Sequence, residues 1–336
     1  RFSHLFNMNL MMLLFFISSL TMFMSGLIAN FEFDLKKIIA LSTLSQLGFM
    51  MSILALGELF LAFFHLLMHA LFKALLFMCA GSMIHNMNNC QDIRYMGSLV
   101  NKIPFTSCLF NICNMSLCGF PFLSGFYSKD LILEMMSINF LNVYVYVIFY
   151  LSVGLTVSYS VRLGFYTLIK NFNGFSYFSI LDKDYNMLKS MFGLIYLVIC
   201  GGIISWFIFP TPFFFILPFY MKMMVLILIL LGMMISSIFL YSNVVDYSKT
   251  LKCYSILYFM SLLWNMNMFT ISFNYYFLYN GGKYIEYMDQ GWSEYLGSQN
   301  LYNSIKYESS ILQVILNSKI KMFLFLFLIW ICLLIF

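Results

Sequence analysis

His65, His69 and Lys73 stand four residues apart in the run HLLMHALFK, inside an otherwise apolar stretch. Intervals of four place all three on one face of a helix. Each interval climbs about 6 Å, so the row covers roughly 12 Å of depth. Imidazole changes charge near neutral pH, and a charge on one member of such a row disfavours a charge on the next. A stack of this kind, bridged by water, can pass protons stepwise. Three other uses of the same residues stay open. Each His could be a hydrogen-bonded core residue. His65 and His69 could bind a metal with Glu58 below them, although Lys73 opposes a divalent cation and no fourth ligand is evident. Haem ligation would need His residues on facing helices, and His4 and His85 lie near the ends of apolar runs.

A second chemical segment is CGFPFLSGFYSKD, residues 118–130. Gly119, Pro121 and Gly125 interrupt an apolar run, and a broken helix at membrane depth is tolerated only where it lines a cavity or is buried in protein. Lys129 and Asp130 follow at once, with Glu134 one turn on. They read either as a solvated loop at the membrane surface or, if the helix resumes after the break, as a proton carrier at depth tuned by Asp130 or another carboxylate. Ser42, Thr43, Ser45 and Gln46 make a polar patch that could hold water beside the His65 row or bond neighbouring helices. Lys36 and Lys37, after Glu32 and Asp34, anchor a helix start. Arg162 is expected to extend to the interface or to pair structurally.

These residues need apolar elements to position them, and the composition supplies them. Of 336 residues 62% are hydrophobic, 20% aromatic and only 9% charged. A soluble domain carries roughly 25% charged residues. That excludes a soluble enzyme, a nucleic-acid binder and a disordered chain, and leaves an integral membrane protein. The eight cysteines show no CxxC or zinc-type pairing, so neither a disulfide framework nor an iron–sulfur site is expected. Five Pro against 27 Met and 40 Phe resembles translation from an AT-rich organelle genome, and a first residue of Arg1 suggests a chain that begins partway through a longer protein.

Apolar runs long enough for membrane helices cover approximately 8–29, 35–57, 59–84, 105–127, 138–168, 189–209, 219–241 and 321–336. Residues 253–278 form a ninth run that Asn265, Asn267 and Asn274 interrupt, and unpaired amides are costly in hydrocarbon. The expectation is an all-α polytopic protein of about eight transmembrane helices, one of them broken. Alternate crossings put Lys36, Lys37, Arg94, Lys102, Lys170, Lys183, Lys189, Lys249, Lys252, Lys283, Lys306, Lys319 and Lys321 on one side, against Arg1, Lys129 and Lys222 on the other. The rich side is then the matrix or cytoplasm. The division expected is an antiporter-like transmembrane domain at 1–252, a further segment at 253–320 and a last anchor at 321–336. From Leu301 onward Leu301, Ile305, Leu312 and Leu316 share one helical stripe, which suits a helix on the membrane surface or one lying along other subunits.

The segments FDLKKIIALSTLSQLGFM, FHLLMHALFKALLFMCAGSMIHNMNNCQDIRYMGSL and GFPFLSGFYSKDLILE, with the tail DQGWSEYLGSQNLYN, resemble the chain 5 family of NADH:ubiquinone oxidoreductase, the antiporter-like membrane subunits of respiratory complex I. The resemblance extends over essentially the whole chain. It implies that His65, His69 and Lys73 occupy a central hydrophilic axis. It also implies that Lys129 is the lysine after the second broken helix and Asp130 the acidic residue following it. The part around 283–320 would be a long lateral helix on the matrix side, ahead of a final anchor, and 253–278 would stay out of the membrane. The family's earlier half, with a glutamate–lysine pair and a first broken helix, has no counterpart, so the chain is expected to be the C-terminal portion. The function implied is proton translocation across the mitochondrial inner membrane, coupled to electron transfer elsewhere in the complex. Partners would be other membrane-arm subunits, the bilayer and protons, with no nucleic acid. No cofactor or metal is expected on this chain, and FMN, iron–sulfur clusters and ubiquinone would sit on other subunits. The rival reading is a stand-alone cation/proton antiporter, which has no need of a lateral helix; a haem-binding electron carrier is a third class.

Overall fold

The computed structural model describes residues 5–138, 143–174, 180–182, 185–208, 217–241, 254–262, 264–317 and 320–335. Arg1, His4, Lys183, Lys249, Lys252, Cys253 and Lys319 lie outside the described residues. Among the described residues there is no sheet, only an isolated bridge between Asp34 and Asp92. The chain divides into two units, Arg1–Trp264 and Asn265–Phe336.

In the first unit, long helices run wherever the apolar sequence is unbroken: α1 (Met8–Ala29), α2 (Leu35–Ala55), α3 (Leu59–Asn86), α7 (Val143–Gly164), α8 (Tyr185–Ile208) and α9 (Phe219–Tyr241). A π-helical stretch, Phe165–Ile169, continues α7. These six are long and apolar enough to cross a membrane. Between them come a single turn, α4 (Leu99–Lys102), and two helices of 15 residues each, α5 (Pro104–Cys118) and α6 (Ser124–Ile138). The break falls at 119–123, and the helix resumes through Lys129. The run expected at 105–127 therefore extends to Ile138, and the described part of the next helix, expected from 138, is Val143 onward.

Contacts between helix ends order the crossings. The α1–α2 turn bonds to the segment after α3 through Leu35 N–H to the Gln91 carbonyl, 2.9 Å, and Ile93 N–H to the Phe33 carbonyl, 3.0 Å. That segment bonds onward to the end of α7 through Ser98 N–H to the Lys170 carbonyl, 2.6 Å, while Asp182 accepts from the Phe105 N–H at the start of α5, 3.1 Å. At the other end Glu134 of α6 meets Lys222 of α9, 3.9 Å, and Glu58 shares a cleft with Leu56, Met135 and Met136. Because α5 starts at the first end and α6 finishes at the second, the pair makes one crossing in two halves. Lys36, Lys37, Arg94, Lys102 and Lys170 all belong to the first end, as the positive-inside reading requires. Two apolar clusters fill the interior, one of Phe72, Leu76, Cys113 and Tyr159, the other of Phe49, Leu133, Phe149 and Val157.

Arg162 reaches toward the basic end and is tied there to the end of α1. Half-buried, it donates to the carbonyls of Ala29 and Asn30 and lies 4.8 Å from the Phe33 ring, which Arg94 approaches at 4.3 Å. It caps α1, whose last carbonyls need donors.

Ahead of the second unit lies a short α10 (Tyr254–Ser261). The second unit holds α11 (Met266–Tyr284), α12 (Asn300–Leu316) and α13 (Ile320–Ile335). The π-helical segments Ile285–Ser293 and Tyr295–Gln299 join α11 to α12 without interruption. Helix thus begins at Met266, well before the stretch expected around 283–320, and runs about 75 Å. No side chain of α12 or α13 is buried within the chain. With 16 residues, α13 rises about 24 Å, short of a hydrocarbon core of about 30 Å.

Candidate functional site: a buried basic axis

The stripe read from the sequence faces inward. His65 is 0% exposed, His69 8% and Lys73 4%, with α2 and α6 packed against them. His65 and Lys73 are met by polar groups from those neighbours. His65 Nδ1 lies 3.0 Å from Ser128 Oγ of α6, and Nε2 lies 3.2 Å from Gln46 Oε1 of α2. Lys73 donates to the Ser42 hydroxyl and, at 3.5 Å, to the Ile39 carbonyl. His69, between them, sits with its ring edge-on to Phe72 at 5.3 Å and 6.3 Å from the His65 ring. Its Nε2 is buried with no hydrogen-bond partner. Such an atom carries a desolvation cost of roughly 1–3 kcal/mol. It lies between the two hydrogen-bonded members of the row, His65 and Lys73.

The polar patch of α2 divides as a helix must. Ser42, Ser45 and Gln46 are buried, while Thr43 points away and is only partly covered. The phenol of Tyr159, on α7, faces Ser42, Ser45 and Gln46 yet closes a hydrogen bond with none of them.

Lys129 is 4% exposed and donates its ammonium to the Leu117 carbonyl. The broken helix creates that acceptor. At the end of α5, Gly119 takes φ +84°, and Phe120 N–H bonds back to the Met115 carbonyl at 3.1 Å while Gly119 N–H bonds to Ser116 at 3.2 Å. This closure satisfies two of the terminal carbonyls. The next, Leu117, is left for Lys129, at a helix end whose partial negative charge favours a cation. The halves can approach only because residue 125 is glycine: a Cβ there would lie 1.8 Å from the Ser116 carbonyl oxygen. A cavity of about 10 Å³, lined by Ser45, Gln46, Lys129, Ser152 and Thr156 among apolar side chains, joins Lys129 to the α2 patch. That is the scale of one water.

Asp130 is not brought to this axis. Only partly buried, it keeps company with Glu134 and Lys222 at the end opposite the arginines, while its neighbour Lys129 turns to α5. A residue and its successor lie about 100° apart around a helix, so the two face different groups. Glu58 is likewise among Leu56, Met135 and Met136, and among the described residues no group of three or more metal-ligating side chains gathers. Sequence reasoning missed Ser128, Tyr159 and the Glu134–Lys222 pair. Ser128 sat inside the quoted segment but only its place against His65, 63 residues away, gives it a part.

Residues 1–157 match the family described as NADH:quinone oxidoreductase/Mrp antiporter, TM. Residues 159–336 match the one described as NADH dehydrogenase subunit 5 C-terminus. The chain belongs to the NADH dehydrogenase subunit 5 family. NADH-ubiquinone oxidoreductase chain 5 of Anopheles quadrimaculatus is 51% identical over 318 residues, 94% of this chain and 55% of that protein. The same-named proteins of Locusta migratoria and Lumbricus terrestris are 48% and 37% identical over 94% and 91% of this chain. The chain thus spans about half the length of the subunit 5 relatives it matches. Among solved structures, the Mrp complex from a Dietzia species aligns with a TM-score of 0.56 at 21% identity, over 74% of this chain and 30% of that one, which shows a shared fold. This subunit 5 family chain is a multi-pass membrane protein, with six helices able to span.

Proposed function

We propose that the chain carries protons across the mitochondrial inner membrane as a membrane-arm subunit of NADH:ubiquinone oxidoreductase, driven by electron transfer in other subunits. The observation that carries the reading is the set of four basic side chains, each 8% exposed or less, three of them held by polar partners, inside a bundle that belongs to the subunit 5 family. Ionisable groups at membrane depth are expensive and usually serve an ion pathway. Lys73, His69 and His65 form the row along α3, and the step to Lys129 runs from its His65 end, where Gln46 borders the small cavity. Asp130 serves beyond Lys129, with Glu134, on the side away from the arginines. The flavin, iron–sulfur and quinone chemistry belongs to other subunits, and this chain supplies no redox group.

Lys129→Met removes the ammonium without adding bulk. In vesicles holding the assembled complex, it should lower the number of protons pumped per NADH oxidised. An unchanged ratio in an assembled complex would sink the role given to Lys129. The alternative, a stand-alone cation/proton antiporter, is favoured by the fold shared with the Mrp complex. Purification separates the two, because a pump subunit comes away with many other chains and an antiporter does not.

A further inference from the structure

Gln46 occupies the junction between the His65 row and Lys129. Its carbonyl oxygen faces His65 Nε2 at 3.2 Å, and its side chain also lines the water-sized cavity against Lys129. An amide has one accepting end and one donating end, so it cannot offer the same face to both sides. The other half of the clamp on His65 has less freedom. Ser128 Oγ has one hydrogen and two acceptors in reach, the Gly125 carbonyl at 3.2 Å and His65 Nδ1 at 3.0 Å; with the hydrogen on Gly125, Oγ presents a lone pair to Nδ1. Nδ1 then carries a hydrogen, and the charge of the ring is decided at Nε2. With Nε2 protonated the ring is an imidazolium and needs the acceptor that Gln46 shows it. With Nε2 bare the ring is neutral and needs a donor, which only the NH₂ end of Gln46 can supply.

Resting on the proposed proton pathway, we infer that Gln46 is a positioning residue whose amide turns over each time a proton passes between His65 and Lys129. When the proton is on His65, Oε1 faces the ring. In the transfer the Nε2–H bond breaks, a water in the cavity takes that proton while giving one up, and a new N–H bond forms on the neutral Lys129 amine. The amide then presents NH₂ to the ring and Oε1 to the cavity, where it accepts from the new ammonium. The dipole follows the excess proton and so opposes charge on both sites at once. Titratable groups facing this junction are His69 and Lys73 on α3, Lys129 on α6, Cys118 on α5 and Tyr159 on α7.

The test uses the assembled complex in vesicles. Gln46→Met keeps length and volume but has no dipole to turn, and proton transfer per NADH through this subunit should fall about a hundredfold, the scale of a misplaced transfer partner. Gln46→Asn, which keeps an amide, should recover part of it. The infrared difference between the complex at rest and the complex oxidising NADH should contain a side-chain amide carbonyl shift that Gln46→Met removes. A purely structural glutamine would give no such shift. Pumping within twofold of the unaltered complex in Gln46→Met would overturn the inference, as would the absence of the amide shift. If the Met variant fails to assemble, the spectrum of the unaltered complex, labelled at glutamine, decides by the presence or absence of the shift. Loss of pumping in Lys129→Met with none in Gln46→Met rejects Gln46 alone. No loss in either rejects the pathway itself.

Discussion

Lys73 and Lys129 are equally buried, at 4% each, yet they are held in unlike ways. Lys73 projects from an unbroken helix and takes a hydroxyl, Ser42, from the neighbouring one, with the Ile39 carbonyl as a longer second partner at 3.5 Å. Lys129 takes a backbone carbonyl that exists as an acceptor only because its span is broken. A hydroxyl can be deleted by one substitution, while a carbonyl is a property of the whole turn. The difference teaches that a membrane protein has two sources of polar partners for a buried cation. One is a side chain. The other is main chain released by a Gly-rich break, at the cost of a crowded crossing.

The crossing gives the largest expected effect. Gly125→Ala places a carbon against the Ser116 carbonyl, and overpacking of that kind costs about 1–3 kcal/mol or more. The subunit should fail to appear in the assembled complex on a native gel, and normal assembly would mean that the two halves of the broken span are farther apart than described. Lys73→Met comes next. It should assemble and lower protons pumped per NADH, as Lys129→Met does; a normal ratio in Lys73→Met alone would confine the pathway to Lys129 and His65. Ser42→Ala removes only a hydroxyl and leaves the Ile39 carbonyl, so a loss of about 1 kcal/mol in thermal stability is expected, with partial pumping. If Ser42→Ala is as severe as Lys73→Met, the two lysines are not held by partners of unequal weight.

The smallest effect lies at the arginine-rich end, where Arg94 donates to both carboxylate oxygens of Asp92. Those hydrogen bonds hold the Asp92 carboxyl below its ordinary range. A lowered carboxylate contributes stability above its unfolded value near 3.9 and loses it as pH falls through the lower folded value. Melting temperatures should therefore show a constant contribution from this pair between about pH 5 and pH 8, lost only as pH falls below about 4, and Asp92→Asn should cost under about 1 kcal/mol because Arg94 is 55% exposed. A larger cost would make this surface pair comparable with the buried axis.

Much of this molecule was legible from local rules. The spacing of four that aligns His65, His69 and Lys73 is a property of any helix, and the Gly-Pro interruption before Lys129 marked a break from residue types alone. The basic end followed from counting charges along alternating apolar runs. The limits of α5 and α6 were misjudged because the hydropathy that suggested 105–127 falls where Ser128, Lys129 and Asp130 begin, yet the helix continues past them. That Arg162 would reach toward a span end or pair structurally was visible from its place in the sequence, while the bare carbonyls of α1 that hold it were not.

What the sequence determined by itself is therefore one-dimensional: helix faces, breaks, and the sign of each end. Only the tertiary structure decided that Ser128 and Gln46 close on His65 from two helices, that Lys129 turns to Leu117 and away from Asp130, and that His69 is left with an open nitrogen. The physical reason is range. Helix geometry repeats every few residues, but a hydrogen bond between side chains 63 residues apart depends on how whole helices pack, and no local period encodes that.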